Sequence, residues 1–99
     1  MGTIGVATGG GEYPTGVPGR HGGNLDIAEL GAGTRLYLPV RVKGALLAMG
    51  GVHAVQADGE LCVSAIEIPA EVLVRVDLVK GEESGAACGG GGQLTSPTL

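Results

Sequence analysis

This chain of 99 residues has no Phe and no Trp, and only two Tyr. Any core must be built from Val, Leu, Ile and Ala, without the large area that an aromatic ring buries. Six Lys and Arg against ten Asp and Glu give a net charge of −4, and the basic residues form no cluster. Nothing here neutralises a run of phosphates, so nucleic acid is not an expected partner. No apolar run approaches the roughly 18 residues of a membrane span. The opening Met1-Gly2-Thr3-Ile4-Gly5 lacks the basic and long apolar regions of a signal peptide. The two cysteines, Cys62 and Cys88, are too few and too far apart for a disulfide framework or a metal knuckle. Cys62 reads as a small buried hydrophobe, and a reducing cytoplasm is the expected location.

Glycine is abundant instead, at 21 residues, several times the usual share of roughly 7 %. It raises the entropy lost on folding. A chain of this size and makeup is expected to lean on a partner chain or on further sequence.

Three zones differ in texture. Residues 8–33 carry Thr8-Gly9-Gly10-Gly11, Tyr13-Pro14, Val17-Pro18-Gly19 and Gly31-Ala32-Gly33, and read as loops and tight turns. Residues 34–81 hold the strand signals. Residues 82–99, with Gly89-Gly90-Gly91-Gly92 and then Gln93-Leu94-Thr95-Ser96-Pro97, read as a low-complexity, disordered tail. The division is therefore 1–81 and 82–99.

In the middle zone Leu36, Leu38, Val40 and Val42 alternate with Arg35, Tyr37, Arg41 and Lys43, which predicts a half-buried strand. Pro39 cannot donate to a ladder, so that strand lies at an edge or carries a bulge. Leu46–Met49 is a second short strand, stopped by Gly50-Gly51. Leu61–Ile68 predicts a third, apolar on both faces except for Ser64 and Glu67. Val72, Val74, Val76 and Leu78 predict a fourth, and Ile4–Ala7 a short fifth. The one weak helical candidate is Leu25–Leu30, capped by Asp26. The class is all-β, or the β-rich part of something larger.

The chemistry concentrates in His53-Ala54-Val55-Gln56-Ala57-Asp58-Gly59-Glu60, an imidazole and two carboxylates between two expected strands. His53 can bind a metal through one ring nitrogen while the other sets its tautomer. Asp58 and Glu60, two apart, project to one side of an extended chain, an arrangement suited to proton transfer. A polar hairpin loop explains the same residues, since Asp-Gly is by itself a strong turn signal. In Gly22-Gly23-Asn24-Leu25-Asp26 the glycines allow close approach of a ligand, and Asn24 and Asp26 offer oxygen ligands or amide hydrogen bonds. Glu67, alone in an apolar run, needs a partner, and Arg75 on the next strand is the expected one.

Five stretches occur together in order: Pro18-Gly19-Arg20-His21-Gly22-Gly23-Asn24-Leu25-Asp26; Leu36-Tyr37-Leu38-Pro39-Val40; Gly44-Ala45-Leu46-Leu47-Ala48-Met49-Gly50; Asp58-Gly59-Glu60; and Glu71 to Gly81. From about Ile4 to Gly81 the chain resembles the middle of the acetamidase/formamidase family. The resemblance implies a sandwich- or barrel-like portion of a larger β-rich fold. It implies hydrolysis of a short linear amide, formamide or acetamide, to the carboxylate and ammonia. It implies a divalent metal, zinc, with Asp26 and His53 as ligands, Glu60 as proton shuttle, and Asn24 and Asp58 as support or substrate contacts. Glu60 and Asp58 are interchangeable at this level. A homo-oligomer is implied for the full-length form, and activity of these 99 residues alone is not expected. Two positions depart from the family pattern. Gly51 stands where an acid usually precedes Val52-His53, and Ala57 stands where a glycine usually precedes Asp58. The second departure matters wherever the backbone needs positive φ.

Overall fold

Strand Thr3–Gly5 (β1) is the central strand of the first sheet. In the computed structural model, which describes residues 1–81, 88–90 and 94–95, it is flanked by Gly22–Asn24 (β2) and Ala48–Gly50 (β4) in a three-stranded sheet of order β2-β1-β4. Both pairings are antiparallel, with Thr3 opposite Asn24 on one side and Gly50 on the other. Strand Arg35–Tyr37 (β3) pairs with Cys88–Gly90 (β5), which pairs with Leu94–Thr95 (β6), in a second sheet. A single 3-10 turn spans Ala57–Gly59. Among the described residues, strand dominates and helix is confined to that turn, so the molecule is all-β. No helix among the described residues is long and apolar enough to cross a membrane.

The glycine-rich segment expected to be loop contributes β2. Gly22 has φ +95 and is buried, and a Cβ on it would strike the Ile4 carbonyl oxygen. Its lack of a side chain lets β2 close on β1. The hydrophobic interior is thin: Val6 and Leu30 are the buried apolar side chains among the described residues.

The expected strands are only partly present. β1 matches the forecast near Ile4. Leu36, Leu38 and Val42 are half-buried while Arg35, Tyr37, Arg41 and Lys43 are exposed, as the alternation requires, although Val40 is exposed too. β3 stops two residues before Pro39, which cannot extend the ladder. β4 lies slightly later than expected, because Ala45 and Leu46 both take positive φ in a turn.

Leu61–Ile68 is not a continuous strand. Leu61 and Ser64 exchange both backbone hydrogen bonds across a tight turn, and Cys62 and Val63 sit at φ +53 and +66. Val63 is fully exposed, since among the described residues nothing covers a strand that is apolar on both faces. Cys62 is likewise exposed, not buried. Residues 72–78 form no ladder, and Leu73 and Val76 face solvent, because no strand edge lies beside them among the described residues. Leu25–Leu30 makes no helix: Asp26 takes φ +44, and a lone turn bond runs from Leu30 N–H to the Ile27 carbonyl. Most of the expected tail lies outside the described residues, and its described pieces are β5 and β6.

Candidate metal centre

The register of the first sheet decides which side chains meet. β2 and β4 both run antiparallel to β1, so both leave the sheet at its Thr3 end. β2 continues into Leu25-Asp26, and β4 into Gly51-Val52-His53. Gly2 lies between them. Its N–H donates to the Gly51 carbonyl at 2.7 Å, and its own carbonyl accepts from Leu25 N–H at 2.8 Å and Asp26 N–H at 3.1 Å. A Cβ at Gly2 would come within 2.9 Å of Asp26 Oδ1 and 2.8 Å of His53 Cε1. The absence of that carbon leaves room for the two side chains to converge above the backbone.

Asp26, His53 and Glu60 meet there, each offering one ligand atom, and the three atoms lie within 4.8 Å of one another. His53 Nδ1 is 3.6 Å from Asp26 Oδ1 and 3.4 Å from Glu60 Oε1. The side chains are 7 %, 25 % and 19 % exposed respectively for His53, Asp26 and Glu60. Oxygen and nitrogen ligands held about 2.1 Å from a tetrahedral metal lie roughly 3.4 Å apart, which is the spacing about His53. His53 Nδ1 and Asp26 Oδ1 are buried and make no hydrogen bond. Such atoms ordinarily find a partner, and these two point at the same place. Among the described residues no Lys or Arg makes an ion pair with the triad, in which two carboxylates flank a single imidazole. An arrangement of this kind is able to hold a divalent cation while leaving a coordination position open to a substrate or water.

Each ligand side chain is fixed by a further contact. Asn24 Nδ2 donates to Asp26 Oδ2, which leaves Oδ1 to face the triad. Asn24 is itself fixed by Thr3, whose hydroxyl donates to Asn24 Oδ1 at 2.8 Å. Glu60 Oε1 accepts from Ala57 N–H at 3.1 Å across the 3-10 turn. His53 Nε2 lies 2.9 Å from Glu67 Oε1.

The structure thus brings together four of the five residues singled out in the sequence. Asp26, His53 and Glu60 form the triad, and Asn24 supports it with both ends of its amide engaged. Asp58 is exposed on the 3-10 turn and outside the triad. Glu67 does not pair with Arg75. It bonds to His53, while Arg75 lies 3.7 Å from Asp77 in an exposed contact. The reason is that residues 72–78 form no strand beside Glu67. Sequence reasoning also missed Gly2 and Thr3, which carry no chemical signal of their own. A groove of about 540 Å³ opens along β1, lined among others by Tyr13, His21, Lys43 and Leu46, and none of the triad lines it.

Comparison with known proteins places the chain. The model of the acetamidase/formamidase family matches residues 7–90, and the chain belongs to that family. It is similar to a formamidase of Methylophilus methylotrophus, 45 % identical over 64 residues, which are 64 % of this chain and 16 % of the relative. It is similar to an acetamidase of Mycolicibacterium smegmatis, 43 % identical over 65 residues, which are 65 % of this chain and 16 % of the relative. The aligned part is thus about one sixth of those relatives' length. No solved structure matches the chain.

Proposed function

We propose that this chain carries part of the active centre of a hydrolase acting on the carbon–nitrogen bond of a short linear amide, such as formamide or acetamide. We propose also that Asp26, His53 and Glu60 hold a divalent cation. The carrying observation is the convergence of three ligand atoms, from Asp26 and from the segment His53 to Glu60, two of them buried without a hydrogen bond. Membership of the family supports the reaction class, as do the names of the relatives. The donor set of one imidazole and two carboxylates, with its spacing about His53, suits zinc.

Bound there, the cation supplies Lewis acidity toward the amide carbonyl oxygen. The chain's own residues do the rest. Gly2, without a side chain, leaves access to the centre. Asn24 and the Ala57 N–H hold two of the ligands in place. Of the two acids suited to proton transfer, Glu60 is drawn into the triad, which leaves Asp58, exposed on the 3-10 turn two residues before it in sequence. In this reading Asp58 takes a proton as water adds to the carbonyl carbon, and returns it to the nitrogen as the carbon–nitrogen bond breaks. The step yields the carboxylic acid and ammonia, and the acid's proton then passes to ammonia to leave the carboxylate and ammonium.

The test joins calorimetric titration of the chain with Zn²⁺ to an ammonia assay on formamide and acetamide, run with the chain in place of the matching segment of a full-length formamidase, since the chain alone covers about one sixth of its relatives. Stoichiometric Zn²⁺ binding with ammonia release, both lost in H53A, is the expected result. D58N is expected to retain the ion while ammonia release falls, by on the order of 10²-fold or more. Zn²⁺ binding without ammonia would mark a binding module without turnover, and the absence of binding would overturn the metal centre.

A further inference from the structure

We propose that Glu67 is a positioning residue for His53: it fixes the imidazole as the Nε2–H tautomer and so aims the Nδ1 lone pair at Asp26 and Glu60. This rests on the metal-centre reading given above.

The backbone puts the two side chains opposite each other. Ala54 N–H donates to the Ile66 carbonyl at 2.9 Å and Ile68 N–H to the Val52 carbonyl at 3.0 Å, with His53 and Glu67 bridged between them. These bonds flank the pair and leave it as the non-hydrogen-bonded kind, in which facing side chains come closest. Glu67 Oε1 then lies 2.9 Å from His53 Nε2. A carboxylate only accepts, so the short contact requires the proton on Nε2. In the neutral ring Nδ1 is therefore the lone-pair nitrogen, and it is the buried atom with no hydrogen-bond partner, 3.6 Å from Asp26 Oδ1 and 3.4 Å from Glu60 Oε1. An imidazole ligand that donates its second N–H to a carboxylate is held in one orientation and made more basic. Glu67 itself is 66 % exposed and outside the triad, so it acts through the ring and not as a ligand.

The arrangement also assigns a role to the lone acid in the apolar run 61–68. Its position in the bridge sets which ring nitrogen faces the triad. A second consequence follows for substitution: Gln keeps an acceptor oxygen at the same reach, whereas Ala removes it.

The experiment has two readouts on the full chain. The first is the ¹⁵N spectrum of the His53 ring, recorded without metal well above the ordinary imidazole range. The wild type is expected to show a protonated Nε2 and a lone-pair Nδ1. E67A is expected to show a mixture of tautomers, and E67Q to recover the wild-type pattern. The second is Zn²⁺ affinity, expected to fall roughly 10- to 100-fold in E67A and less in E67Q. An unchanged tautomer in E67A, or an unchanged affinity in a chain that binds Zn²⁺, overturns the proposal. If the wild type binds no Zn²⁺, the metal centre falls, while the tautomer readout still decides whether Glu67 sets the ring.

Discussion

Ala57 shows how a single side chain is held against its preference. Its φ is +56, a region open to glycine and unfavourable for a residue with a Cβ. The strain is tolerated because Ala57 N–H reaches Glu60 Oε1 and the Ala57 carbonyl accepts from Glu60 N–H at 2.9 Å. Removing the Cβ keeps both bonds. A57G is therefore expected to stabilise the chain by about 1 kcal/mol, read as a higher urea midpoint at unchanged slope. A lower midpoint would mean that the turn is not strained there. At the same scale Gly51 has φ +58 beside His53, a conformation that glycine takes freely.

Among the elements, the turn at residues 61–64 carries the clearest mismatch between sequence and shape. Both central positions have positive φ, the requirement of a type I′ turn, yet they are Cys62 and the β-branched Val63. Asn-Gly is the pair suited to that geometry. The double substitution C62N/V63G is expected to raise the thermal midpoint by several degrees, on the order of 1 kcal/mol, in a calorimetric scan. No change would argue against the turn. Nothing in the sequence foretold this turn. The apolar run through Leu61–Ile68 reads as strand because alternation reports which faces are apolar, not whether a neighbouring layer exists to cover them. The Val72–Leu78 pattern fails for the same reason. The candidate site was more legible. Asp26, His53, Glu60 and Asn24 each carry chemistry that can be read from residue type and from the ordered resemblance. Glu67 was visible as an isolated acid, but its partner depended on a bridge whose register no local pattern records. Gly2 was invisible because its contribution is the room left by a missing carbon.

At the scale of the molecule, the imbalance among the described residues lies between a two-residue buried apolar set and a long exposed one. Val63, Leu73, Val76 and Leu78 are each more than 60 % exposed, all between residues 61 and 79. Apolar surface on that scale is expected to bind a hydrophobic dye and to drive association. Sedimentation at rising concentration should show species heavier than the monomer. Replacing Val74 and Val76 with Lys should shift them toward the monomer, and a chain that stays monomeric at all concentrations would refute the expectation. The triad bears on this balance from the opposite direction. Its members are separated by 27 and 7 positions in sequence, and they meet only when β2 and β4 are both seated on β1 with Gly2 between their exits. An unfolded chain has no such pocket, so an occupant would bind the folded state alone and share its free energy with it. Chain order and site occupancy would then be one equilibrium seen from two sides. An ion at a hundred times its dissociation constant would add about 2.7 kcal/mol, in a chain whose described residues bury two apolar side chains.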